Sequence, residues 1–211
     1  GFYFKWLKKE NWFELVDSIR ELNYAVADNF LDKDLYLQLQ SFKNTKIQEE
    51  EFKRAAIGIG IEKQRISEIR GDYTYWINRD ENSELRSLFE LLDEMKQFLN
   101  RTCFLSLSDY EFHLAHYPKG SFYKRHLDQF QERSNRMVSF ILYMNDSWKE
   151  GDGGELNILD SKGNILINPI ANRLVMFLSD RVEHEVLITH KNRFSLTGWF
   201  LYQPKNLGFL T

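Results

Sequence analysis

Apolar side chains recur at three- and four-residue spacing at Trp12, Leu15, Val16, Ile19 and Leu22, which predicts an amphipathic helix over about 10–22. Tyr24–Phe30 reads as a strand. Leu31-Asp32-Lys33-Asp34 supplies capping residues for a second helix through about Ser41, and the charged stretch 48–54 continues as helix or loop with a solvated face. Leu85, Leu88, Phe89, Leu92, Met95 and Leu99 trace another stripe, predicting a core-facing helix over about 83–100. Beyond residue 110 the period drops from near 3.6 to 2. Strands are predicted at about 110–117, 122–128, 136–145, 154–159, 165–168, 173–178, 184–189 and 193–201, separated by Gly, Asn, Asp and Pro. Helices first and short strands later disfavour a parallel α/β sheet. They predict a mainly β fold with supporting helices, a jelly roll or cupin-like barrel. With no internal repeat or Pro/Gly-rich linker, the expectation is one domain, 1–211. A helical buttress with a few strands would occupy about 1–105, and the barrel about 106–203.

Composition narrows the function. Of the 211 residues 43% are hydrophobic and 15% aromatic, enough for a substantial aromatic core. A formal charge of −3 and pI near 6.0 give no long-range attraction to nucleic acid or to an anionic membrane, so neither is expected as a partner. The lone cysteine, Cys103, excludes an intrachain disulfide and the Cys pairs of structural zinc sites, making cytoplasmic residence the default. The opening apolar segment is short and interrupted by Lys5, so it reads neither as a membrane span nor as a signal peptide.

His126-Leu127-Asp128 ends a predicted strand, and i, i+2 spacing puts imidazole and carboxylate on one face. His184 begins a later strand, with Val186 and Ile188 on its face. Two imidazoles and a carboxylate on one side of iron leave three positions open. A His-x-Asp pair alone is weak. His126 also reads as a surface histidine near Lys124 and Arg125, and His184 as a solvated one between Glu183 and Glu185. Arg193 adds weight. Alternation sends Arg193, Ser195, Thr197 and Trp199 to one face and Phe194, Leu196 and Phe200 to the other. A guanidinium on an apolar strand needs an anion, and its planar fork suits a carboxylate; Glu183 and Glu185 are the protein alternatives to a bound ligand. Tyr143 shares a face with Met137, Ser139 and Ile141 and either assists that carboxylate or is a core tyrosine.

Taken together, His126-x-Asp128, His184 and Arg193 resemble the 2-oxoglutarate/Fe(II) oxygenase superfamily, in particular its prolyl-hydroxylase-domain branch, which contains the hypoxia-factor prolyl hydroxylases and bacterial relatives. The likeness extends through Tyr117-Pro118-Lys119-Gly120, Tyr143-Met144-Asn145, Gly153-Gly154-Glu155-Leu156 and Ser179-Asp180-Arg181, and covers roughly 65–202. It implies a double-stranded β-helix with Fe(II) on His126, Asp128 and His184. It also implies 2-oxoglutarate held by Arg193 with help from Tyr143, Thr197 and Tyr117, O2 as co-reactant, and ascorbate as a reductant. The implied reaction is C–H hydroxylation giving succinate and CO2. Asp128 disfavours halogenation, for which relatives lack the carboxylate.

Arg70-Gly71-Asp72 followed by Trp76 resembles the substrate-closing segment of that branch; physically it is also a turn between two strand-like stretches. The resemblance implies that Arg70, Asp72 and Tyr123 seat a proline-containing protein substrate. A nucleic-acid demethylase would carry a second arginine where this chain has Trp199. A hydroxylase of free amino acids and a non-catalytic metal-binding jelly roll stand as alternatives. His113, His116 and His190 read as structural or solvated, and Gly151-Asp152-Gly153-Gly154 as a hairpin or bulge rather than a phosphate loop.

Overall fold

The computed structural model describes residues 2–56 and 67–203, with the side chains of 2–10 and 132 left aside. Helix α1 (Phe2–Leu22) leads into strand β1 (Tyr24–Ala27) and helix α2 (Lys33–Gln48). Asp32 caps α2 by accepting from the Leu35 amide at 2.9 Å, satisfying one of the orphan donors of the first turn. The helix runs a further two turns past Ser41 because Leu39, Phe42 and Lys43 continue the buried face. Beyond Gln48 the chain makes a turn and the two-residue strand β2 (Lys53–Arg54) rather than more helix. Strand β3 (Tyr73–Trp76), a 3-10 turn (Ser83–Leu85) and helix α3 (Arg86–Cys103) complete the first half. Of the two strand-like stretches flanking Gly71-Asp72, only the second is a strand; Arg70 makes an isolated bridge to Tyr123.

Eight strands make up the second half: β4 (Leu107–Tyr117), β5 (Tyr123–His126), β6 (Arg136–Tyr143), β7 (Leu156–Asp160), β8 (Gly163–Ile167), β9 (Leu174–Leu178), β10 (His184–Val186) and β11 (Arg193–Tyr202). They form two facing antiparallel sheets, β1-β9-β6-β11-β4-β3-β2 and β5-β10-β7-β8, a jelly roll to which the first half of the chain adds three strands. No helix among the described residues is long and apolar enough to cross a membrane.

Period-two alternation creates two cores. Val138, Phe140 and Leu142 of β6, Leu174 and Met176 of β9, and Leu196 and Phe200 of β11 face the helices, meeting Trp12, Leu39, Leu88 and Leu92. The intervening Ile141, Tyr143, Val175 and Phe177 face the second sheet, meeting Leu156, Ile158 and Val186. Phe140 is fully buried, and truncating such a ring to alanine costs about 3–5 kcal/mol. Close packing also needs Gly198, where a Cβ would fall 2.2 Å from the Phe112 ring. Register shifts locally at Phe200/Leu201, where β6 bulges. The bulge turns Arg136 into the space between the sheets, while Met137, expected beside Ser139, packs against the helix-side core.

Candidate active site

Between the sheets lies a cavity of about 800 Å³ whose walls include His126, Asp128, His184, Arg193, Thr197, Tyr117, Arg70, Asp72 and Tyr123. Two adjacent, antiparallel strands bring the histidines together: β5 and β10 pair with His126 opposite His184. Asp128 lies beyond the end of β5, so strand alternation does not place it. Hydrogen bonds do, since Oδ2 accepts from Ser139 Oγ at 2.6 Å and from the Trp199 indole at 3.0 Å. Oδ1 is left free, 3.3 Å from His126 Nε2 and 3.2 Å from His184 Nε2. Strand β10 is also shorter than expected: it ends at Val186, and Ile188 is exposed instead of sharing the His184 face.

Both imidazoles are pinned from behind. His126 Nδ1 donates to the Lys124 carbonyl at 2.6 Å and His184 Nδ1 to the Val182 carbonyl at 3.0 Å. A carbonyl only accepts, so each Nδ1 carries the hydrogen and each Nε2 turns a lone pair inward. Three lone pairs thus converge, with all ligand atoms within 4.8 Å of one another. Burial pushes His126 below its usual pKa. It opposes charge on His184 too, yet the Asp128 carboxylate raises that group overall, and the two imidazoles hold buried Asp128 well below the ordinary carboxylate range. Such a pocket repels itself without a cation. Two nitrogens and one oxygen suit a divalent iron with open positions, so the donor set fits Fe(II). Tyr123 stacks on His126 at 3.7 Å and Phe177 lies 4.7 Å from His184, which restrains both rings.

Arg193 is 3% exposed and has no carboxylate partner among the described residues. The two acids that sequence offered are engaged elsewhere: Glu183 pairs with Arg125, and Glu185 accepts from Asn157 at 2.8 Å. Arg193 Nε donates to the Gly154 carbonyl at 2.7 Å, and its guanidinium lies 4.9 Å from the Tyr117 ring and 5.0 Å from that of Tyr143. Tyr143 is fully buried behind the arginine, its hydroxyl at 3.5 Å, the limit of hydrogen bonding, and it does not reach the cavity wall. Gly154 has φ +73, and a Cβ there would stand 2.8 Å from Arg193 Cδ, so the Gly153-Gly154 turn makes room for the arginine stem. Thr197 Oγ1 and Ser195 Oγ share a hydrogen bond of 2.9 Å beside it. A buried, unpaired fork flanked by hydroxyls is built for an anion, and a dicarboxylate such as 2-oxoglutarate fits it.

Arg70 and Asp72 form a bidentate pair, both bonds 2.7 Å, with Asp72 only 1% exposed and the Arg70 guanidinium 4.2 Å over Tyr123. Burial works against the Arg70 charge, but Asp72 holds its pKa above the ordinary value. Several residues that shape the site were not given a role from sequence. Ser139 and Trp199 grip Asp128. Arg136, paired with Glu111 at 3.1 Å, lies 3.5 Å over the Trp199 ring. His113 proves to line the cavity, since it shares the β4 face of Ala115 and Tyr117, whereas His116 sits outside it, stacked on Phe194. The i, i+2, i+4 spacing of His113, Ala115 and Tyr117 was the available signal.

A family model described as the 2OG-Fe(II) oxygenase superfamily matches residues 112–201. The Hypoxia-inducible factor prolyl hydroxylase of Caenorhabditis elegans is 29% identical over 205 residues, which is 89% of this chain but 28% of that protein. The chain thus spans little more than a quarter of that curated relative. The crystal structure of a Pseudomonas putida prolyl-4-hydroxylase is 35% identical, with TM-score 0.82, covering 91% of this chain and 99% of the other. A Trichoplax adhaerens prolyl hydroxylase, solved with a hypoxia inducible factor oxygen degradation domain peptide fragment, shares the fold at TM-score 0.86 and 23% identity, covering 95% and 93%.

Proposed function

The chain belongs to the 2OG-Fe(II) oxygenase superfamily, and on that premise we propose that it is a dioxygenase hydroxylating a prolyl residue in a protein. The observation that carries this reading is one cavity holding three converging ligand atoms and an unpaired, buried arginine. His126, Asp128 and His184 would hold Fe(II), and Arg193 would grip the distal carboxylate of 2-oxoglutarate, with Tyr117 and Thr197 around it and Tyr143 supporting the arginine from behind. When bound, iron and cosubstrate supply the oxidising chemistry, in which 2-oxoglutarate and O2 yield succinate, CO2 and a hydroxylated C–H.

The remaining work is done by the chain. Ser139 and Trp199 fix Asp128 so that one carboxylate oxygen faces the metal. The two backbone carbonyls keep the imidazole hydrogens away from it. Ile141, Leu156 and Val186 line the cavity with apolar surface and exclude water. Arg70, Asp72 and Tyr123 form a rigid stack against His126, suited to seating the peptide. Residues 1–211 act as one domain in this reading, with cytoplasmic residence and ascorbate as the reductant.

Purified protein with Fe(II) and 2-oxoglutarate should form succinate faster with proline-bearing peptides, which gain 16 Da. Failure to bind 2-oxoglutarate by calorimetry in the presence of metal would overturn the enzyme reading. Hydroxylation of free amino acids but of no peptide would move the substrate to small molecules.

A further inference from the structure

Three histidines line the cavity, and only two are anchored. His126 and His184 each have Nδ1 fixed by a carbonyl; His113 Nδ1 is buried with no partner among the described residues. His113 stands in mid-β4, paired with Trp76 on one side and Thr197 on the other, and is 4% exposed. The rings of Trp76 and Trp199 flank it at 4.7 and 5.5 Å. An unmet buried nitrogen carries a desolvation penalty that an apolar side chain would avoid. Its neighbours Phe112 and Leu114, on the helix face, are apolar.

Its level along the strands is informative. Tyr117 pairs with Arg193 at one end of the site, and His113 pairs with Thr197 four residues on, about 13 Å away. Two residues further, Trp199 touches Asp128. His113 therefore lies level with Thr197, between the Tyr117–Arg193 pair and the Trp199–Asp128 contact. The charges that act on it have counterparts of their own: Asp72 pairs with Arg70 and Arg136 with Glu111, while Asp128 would be matched by the metal it holds with His126 and His184. Burial pushes His113 down to about 3, so the ring itself is neutral. A neutral group in matched surroundings selects a neutral partner.

Resting on the peptide reading above, we propose that His113 is a specificity-determining residue that hydrogen-bonds a neutral backbone amide of the substrate beside the carbon to be hydroxylated. No hydrogen bond among the described residues fixes its tautomer, so it can meet a carbonyl with N–H or an amide N–H with its lone pair. Substrates lacking that amide leave the ring without a partner and bind more weakly.

The test uses acetylated, C-amidated decapeptides with one central proline, screened on the wild-type protein, the best being kept as the probe. His113→Leu should raise the KM for that peptide about tenfold, and the KM for 2-oxoglutarate less than twofold. His113→Asn and His113→Gln place an amide near Nδ1 and Nε2 respectively, and one of them should return the peptide KM to within threefold of wild type. If the leucine variant does not fold, His113→Phe carries the same measurement. An unchanged peptide KM in the apolar variant overturns the inference, as does equal loss in all variants, which would mean shape alone. No peptide-stimulated succinate from the wild type sinks the functional reading and this inference with it, whereas wild-type turnover with an indifferent His113 sinks the inference only.

Discussion

Trp199 donates its indole N–H to the Asp128 carboxylate across 71 residues of sequence, at 3.0 Å. With Ser139 on the same oxygen, it aims the other oxygen at the paired histidines. Trp199→Phe should therefore weaken Fe(II) binding about tenfold while leaving the fold intact. Ser139→Ala should act alike, and the double variant should lose less than the two single losses combined, because both donors restrain one atom. Anaerobic metal titration reads all three.

Removing the guanidinium tests the opposite end of the site. Arg193→Ala should weaken 2-oxoglutarate binding a hundredfold or so with metal affinity unchanged, since a buried carboxylate would lose the guanidinium that pairs with it. Tyr143→Phe should cost about fivefold at most, its hydroxyl being 3.5 Å from the arginine. Equal cosubstrate affinity in wild type and Arg193→Ala, measured by calorimetry, contradicts the assignment.

A substitution in the turn before β7 should reproduce part of that loss. Gly154→Ala forces a Cβ against the Arg193 stem at a positive φ, so cosubstrate affinity should fall along with stability. Comparing the calorimetric loss with the denaturation midpoint separates the two effects.

Acid should expose the buried His113. Its pKa is depressed from 6.5 to about 3 on folding, so between these values the unfolded chain binds the proton and the folded one does not. Stability from this group is whole above pH 6.5 and is lost as pH falls, by about 2 kcal/mol at pH 5. His113→Leu should flatten that part of the urea-denaturation profile. An identical slope in both proteins would show that the imidazole is not desolvated.

Arg70 neutralises the almost fully buried Asp72. Arg70→Ala leaves that carboxylate unpaired and should destabilise the protein by about 3–5 kcal/mol, read from the urea midpoint, whereas Arg70→Lys, lacking the fork, should recover only part.

Much of this architecture was legible because period-two alternation is a local signal. The faces of β11 came out residue by residue, with Arg193, Ser195, Thr197 and Trp199 on the cavity and Leu196 and Phe200 in the helix-side core. The sequence also pointed to the convergence of His126, Asp128 and His184, though for a partly different reason: the carboxylate is placed by donors from β6 and β11, contacts that no local pattern encodes. Arg136 escaped notice because a bulge breaks the alternation that put Met137 beside Ser139. His113 was set aside because a lone histidine on a strand usually packs or dissolves. Only the pairing of β4 between β3 and β11 turns it toward the site.

Strand β11 lies between β4 and β6, giving one side chain in two to the cavity and the others to the packing beneath the helices. Directed changes of substrate scope made on this strand will therefore tend to trade against expression and heat tolerance. Three positions outside it, Trp76 on β3 and Leu127 and Phe130 after β5, touch the same cavity while remaining over a third exposed, and they are where a mutational library can roam at least expense to folding.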